Sequence, residues 1–442
     1  MVHRARWITT LGVALALLGA APILAAQETA GGNARLTFTK DVVSILQENC
    51  QICHRPGGDN VAGMVAPMSL ITYNEVRPWA KAIAKAVQAR QMPPWDATSH
   101  TDGQFINERV MSDEDRATLV KWVETGAARG RPSDAPEARV FPESNGWVIG
   151  EPDLIVYLEE PYWVADDVVD IQPRFTIHVT EEMLPEPRWM KAIECKPDSE
   201  IVHHIFSSAS APAIEGHPEE RFALASVAAG EDPQQYPEGF GNLLRAGTEI
   251  SISLHYNKEA GPGTGVWDRS GIGIKFYPDD AVIDHKVTWN ALGVNGAGNT
   301  WFEIPPGHPN WAVGFGAYFE KDTLLLSVHP HMHYRGKDFK YTAYYPDGTT
   351  EVLLDVPDYS FSWQTIYFYK EPKLIPAGTY IDAIAHFDNS ESIKAEVPKL
   401  DIGRAVGFAA PSTDEMMIPY ISYTQLDEEE AKKYRGPKDG TD

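Results

Sequence analysis

Beyond residue 150 the chain is cut into short runs of alternating apolar and polar residues separated by turn signals, and that texture confines most of it to β-sheet. Glu249 to Asn257 alternates in this way, and Pro346-Asp-Gly348 and Pro376-Ala-Gly378 read as turns. About 290 residues of such text suffice for two sandwiches. The part before it differs. Residues 35–130 look helical: Thr39 is placed to cap a helix running toward Cys50, and Trp79, Ile83 and Val87 recur at helical spacing before Pro93-Pro94. Ser112-Asp-Glu-Asp115 resembles a capping box opening a helix through Leu119, Val120 and Val123. Residues 131–150 are rich in proline, glycine and charge without periodicity, as linkers are.

A chain of 442 residues is too long for one ordinary core. The expected fold is therefore multidomain: a small all-α domain at 35–130, a linker at 131–169, and two all-β, jelly-roll-like sandwich domains at 170–295 and 296–430. A charged tail at 431–442 follows. No internal repeat marks the boundary near 295.

The N-terminus has two arginines, an uncharged apolar run and small residues at Ala25 and Ala26, the layout of a secretory signal cleaved after Ala26. The run from Trp7 to Ala26 is also long enough to span a bilayer, so membrane contact is expected only if residues 1–26 stay attached. Either way the remainder is exported, to the periplasm or beyond. Its three cysteines leave no spare pair for a staple, so core burial must hold it together. Acidic residues outnumber basic ones 62 to 38, which argues against nucleic acid as a partner.

Two of those cysteines lie in Cys50-Gln-Ile-Cys53-His54. Two thiols that add across haem vinyl groups, beside a histidine that ligates the iron, require this spacing; the alternative is a redox dithiol that happens to precede a histidine. A second axial ligand should come from further along. Met92, in Gln91-Met-Pro-Pro-Trp95, is aimed by its prolines from a rigid loop, and Met64 and Met68 are the other candidates. The segment resembles class I cytochromes c over about 95 residues.

The stretch His329-Pro-His-Met-His333 raises a second question of chemistry. Successive side chains of a strand face opposite ways, so Leu324, Leu326, Val328, Met332 and Tyr334 form an apolar row, while Ser327, His329, His331 and His333 form the other. Two imidazoles at i, i+2 can grip one ion. His255 likewise opposes the apolar residues Ile250, Ile252 and Leu254. His203 and His204 are adjacent, so both can bind one ion only at a strand end or bulge; otherwise one is buried and one faces solvent. Met416 and Met417 by themselves read as core.

From about 170 to 425 the chain resembles the copper type II, ascorbate-dependent monooxygenases, the family of peptidylglycine α-hydroxylating monooxygenase and dopamine β-monooxygenase. The matching places are His203-His204, Leu254-His-Tyr256, His331-x-His333 with Gly336-Lys337, and Asp414-Glu-Met416. The resemblance implies two sandwiches, each with one copper, facing across a solvent-filled cleft. It implies that His203, His204 and His255 hold an electron-supplying copper. It also implies that His331, His333 and Met416 hold a copper where O2 binds and a C–H bond of a small substrate is hydroxylated. A thioether favours Cu(I) and suits zinc poorly.

Two departures stand out. The animal enzymes carry many disulfides, whereas only Cys195 remains here. Where the peptide-processing relative has an arginine two positions before the His-x-His, this chain has His329, as a third ligand, a proton donor or a partner of the ligands. Electrons are expected to reach the copper at His203, His204 and His255 through the haem, from an external redox protein, a quinol-linked cytochrome or an ascorbate-like reductant. The alternatives are an electron-transfer or copper-binding protein without oxygenase activity, and a zinc hydrolase using His329, His331 and His333.

Overall fold

Residues 35–56, 66–141, 146–228, 230–292 and 300–435 are described in a computed structural model of the protein. The export segment, Met64, the boundary near 295 and the end of the tail lie outside them. In the helical part a π-helical turn at Phe38–Val42 runs into the helix Val43–Asn49, which ends where Cys50 begins. Thr39 is buried inside this first turn instead of capping it. Thr37 takes the cap position, and its N–H donates to Asp41 Oδ2 at 2.7 Å. The helix Ala80–Gln88 stops short of Pro93 and buries Ala80, Ala84 and Val87. The buried stripe thus lies one residue off the expected one at its start, and Trp79 stays exposed. At Asp113–Glu124 half of the expected capping box forms: Ser112 Oγ accepts from Asp115 N–H at 3.0 Å, while the Asp115 carboxylate accepts from the Ser112 hydroxyl at 2.8 Å. These helices pack around Val42, Leu46, Val76, Leu119 and Trp122.

The strand-rich region forms two sandwiches. In the first, one sheet runs 154–157, 271–276, 188–196 and 243–244, and the other centres on Glu249–Asn257 beside Val202–Ala211. The strands Leu154–Tyr157 and Tyr162–Val164 fall inside the stretch expected to be linker. They pair with Gly271–Phe276 and Val266–Asp268 and bury Val156 and Val164, so the apolar run LIVY outweighs its proline-rich and acidic flanks. In the second sandwich, 311–318, 380–387, 336–344 and 350–356 form one sheet. The other runs 288–291, 418–425, 323–331 and 367–375.

The strand Thr323–His331 does not present the single apolar row that alternation suggests. A register shift between Leu325 and Ser327 interrupts its pairing. Leu324 and Leu326 join the first sandwich's core, while Leu325, Val328 and Met332 enter the second's. Pairing with the 367–375 strand ends at Val328, so 329–331 is left unpaired on that side and the 361–364 segment packs there. No helix among the described residues is long and apolar enough to cross a membrane.

Candidate haem and metal centres

The turn after the 43–49 helix gathers the first set of ligating groups. His54 N–H and Cys53 N–H both donate to Cys50 O, at 2.9 and 3.3 Å, which winds the motif around one wall of a cavity of about 580 Å³. Cys50, Cys53, His54 and Met92 all line that cavity. Neither thiol is in a disulfide. Burial, aided by the neighbouring Cys53, pushes the Cys50 thiol up to about 12. His54 Nδ1–H donates to Met68 O at 3.3 Å and leaves Nε2 free for an iron. The Met68 side chain packs against the helical core. Two thiols, an imidazole with a free nitrogen and a thioether on one cavity wall fit a covalent haem.

His203, His204 and His255 form the second set. The 202–211 and 249–257 strands pair with His204 opposite His255, but Tyr256 is opposite Val202, so His203 is the extra residue of a bulge. That bulge is what lets two adjacent histidines face one point. The Nδ1 atoms of His203 and His255 each lie 3.2 Å from Nδ1 of His204, and a ligand atom from each residue falls within 4.8 Å of the others. On its far side His255 Nε2–H donates to Asp170 Oδ1 at 3.0 Å, which fixes the tautomer with Nδ1 free. Burial and the neighbouring His255 push His203 down to about 4, and burial holds His204 well below its usual value. Both are neutral at pH 7, the state that binds metal. Asp170→Ala is expected to weaken binding of an added metal ion at this cluster by about 10- to 100-fold, read by competition with a chelator.

The third set comes from the end of the 323–331 strand. His331 Nδ1–H donates to Gln364 Oε1 at 2.7 Å and His333 Nδ1–H to Asp414 O at 3.3 Å, so both present Nε2. Burial pushes them down to about 4 and about 3. Met416 lines the same cavity of about 200 Å³, whereas Met417 is fully buried in the second core. Glu415 ties the two ligand segments together, accepting from His333 N–H at 2.9 Å and Arg335 N–H at 2.7 Å. His329 lines the cavity too, stacked on Tyr420 with ring centroids 5.5 Å apart and 3.3 Å from the buried Glu231 carboxylate. Burial pushes Glu231 up to about 7.

The two histidine clusters are neighbours. His204 shares the third set's cavity, and the Phe361 ring lies between the clusters, stacked on His203 at 5.4 Å and edge-on to His333 at 5.9 Å. Phe361 thus touches both clusters beside a cavity that they share. Of the other aromatic residues near the motifs, Tyr256 is structural, donating to the buried Asp268 at 2.9 Å. The supporting groups Asp170, Gln172, Glu231 and Phe361 carry no local sequence signal.

Residues 40–127 match the family model for cytochrome c, and the match does not extend into the strand-rich region. No curated protein matches the chain. Among solved structures, the naturally occurring empty particle of cowpea mosaic virus is 8% identical, covering 62% of this chain and 89% of its own at a TM-score of 0.27. PNGF-II is 9% identical, covering 73% and 71% at 0.28, and broad bean stain virus is 10% identical, covering 61% and 86% at 0.23. Scores this low support no inference. Within a longer, strand-rich chain, residues 40–127 are therefore a cytochrome c domain, an electron-transfer unit that carries covalent haem c.

Proposed function

We propose that the protein is an exported copper monooxygenase that hydroxylates a C–H bond of a small substrate, with electrons supplied through its own haem. The balance is R–H plus O2, two electrons and two protons, giving R–OH and water. The observation that carries this reading is the pairing of two unlike donor sets. Three Nδ1 atoms converge from the 202–211 and 249–257 strands. Two Nε2 atoms and a thioether share the neighbouring cavity. Bound copper would supply one-electron chemistry at both sets and reaction with O2 at the sulfur-containing one.

The residues' own contribution is to hold neutral imidazoles in fixed tautomers and to wall the second site with aromatic rings. Asp170, Gln364 and the Asp414 carbonyl orient the rings, and Phe361, Trp289 and Tyr420 wall the cavity. The Gln172 amide nitrogen lies 3.3 Å from His204 Nε2 and donates to Ser253 Oγ, also at 3.3 Å.

One observation favours a zinc hydrolase: Glu231 brings a carboxylate into the cavity. It faces His329 rather than open space, however, and Met416 on the same cavity suits copper better than zinc. Metal analysis of the purified protein separates the readings. Two coppers per haem, with O2 uptake matched by a hydroxylated product, supports the monooxygenase. Copper without O2 uptake leaves an electron-transfer protein, and zinc without copper leaves a hydrolase.

A further inference from the structure

Between Met92 and the helix Asp113–Glu124 the chain leaves the helical core and enters the second sandwich. Trp95 and Ala97 pack against that sandwich's core, and Phe105 is fully buried in it, its ring 5.3 Å from Tyr367 and 5.0 Å from Tyr369. The strand Tyr367–Ile375 is the outer one of its sheet, and residues 104–106 lie along its open edge. Ile106 N–H donates to Phe368 O and Lys370 N–H to Gln104 O, both at 2.8 Å. Asn107 fastens the next position. Its side-chain amide donates to Ile366 O and to Asp232 Oδ2, each at 2.7 Å, and its Oδ1 accepts from Phe368 N–H at 3.3 Å. Arg109 is then held by Asp232 at 2.5 Å.

Alternation decides what a segment pinned in this way presents. With Phe105 turned into the sandwich, Ile106 points the other way, and it is 72% exposed although its backbone is fixed on both sides. Its side chain lines the haem cavity together with Val110, Ile52 and Met92, which are also exposed. Exposed apolar residues gathered on one cavity mark a ligand groove. This groove is the one into which Cys50 and Cys53 would bring a haem.

We propose that the second sandwich supplies part of the haem site: Ile106 and Val110 are an apolar wall that encloses the haem, and the edge pairing and the Asn107 side chain hold that wall in place before the haem arrives. The inference needs no copper and goes beyond the oxygenase reading. Its consequence is mechanical. The helical domain is joined to the sandwiches by this segment as well as by the chain that follows residue 130, so its haem does not swing out on a linker to meet partners. An external donor has to come to it.

The tests use the full-length holoprotein. Ile106→Ser lowers the haem midpoint potential, because a more polar and wetter surround favours the extra charge of ferric iron. Val282→Ser, at a site 73% exposed and absent from the cavity lining, leaves the potential at the wild-type value. Where Ile106→Ser takes up too little haem to titrate, Ile106→Ala gives the same downward shift. Asn107→Ala also lowers the potential, and it speeds proteolytic cleavage within residues 95–110 by about tenfold, since the segment loses the side chain that fastens it. Hydrogen exchange in the haem-free chain, Cys50→Ser with Cys53→Ser, separates the sandwich's part from the haem's. The Ile106 and Lys370 amides stay as protected there as in the holoprotein. An unshifted potential in a haem-loaded Ile106 variant overturns the wall. Amides that lose their protection along with the haem overturn the sandwich's role in holding it.

Discussion

Replacing His331 and His333 together by alanine is expected to leave about one copper per haem and to reduce product formation to background. These two imidazoles supply both nitrogens of the third set, and a lone thioether does not retain Cu(II). The His203–His204–His255 set should keep its copper, because its rings are oriented by Asp170 and by one another and share no ligand with the third set. EPR and metal analysis check the count; product assay checks the activity. Met416→Leu is the sharper variant, since it keeps nearly the same volume and removes only the sulfur. It should retain copper in the oxidised protein, weaken retention of Cu(I), and lose hydroxylation while leaving the melting temperature almost unchanged. Normal turnover in Met416→Leu would remove the sulfur-ligated oxygen site from the account.

The legible and illegible parts of this site divide along a physical line. The His331-x-His333 spacing and the Cys50–His54 motif are local patterns, recognisable from residue type and spacing although one runs past a strand end and the other is a turn. The His203-His204 pair was readable only as a condition, a bulge or strand end, and the register shift opposite His255 and Tyr256 meets that condition. Alternation misassigned Leu324 and Leu326, because a bulge at Leu325–Ser327 swaps faces without changing composition. Met416 and Met417 are equivalent by spacing, and only the resemblance chooses between them; packing of Met417 into the core separates them. Asp170 and Glu415 reach their partners across 85 and 82 residues, distances over which no single sequence carries a pairing signal. The convergence of both clusters on Phe361 belongs to the same class of long-range packing.

Cys50→Ser combined with Cys53→Ser should yield a chain without covalent haem: after acid-acetone extraction the protein retains no haem absorption, whereas the wild type keeps all of it. The effect on stability should be large and local. A group bound only by the folded state stabilises it by mass action, and a covalent tether makes that binding intramolecular. The helical core of Val42, Leu46, Val76, Leu119 and Trp122 is small, so this segment should melt well below the sandwiches in the double variant. Copper binding should survive, because none of its ligands lies in residues 40–127, and copper should remain oxidised when a protein donor is supplied. A small diffusible reductant should restore reduction. His203 and His255 line a small opening beside Tyr334 and Lys399, which gives such a molecule its own approach to the first cluster. Met92→Ala separates the two functions of the haem site. It keeps both thioether bonds and loses the sulfur that lines the cavity, so covalent haem persists while the reduction potential falls, as expected when a methionine ligand is withdrawn from iron. Haem-driven copper reduction should then become faster in driving force yet harder to prime from the external donor. An unchanged potential in Met92→Ala would mean that a residue other than Met92 is the second axial ligand.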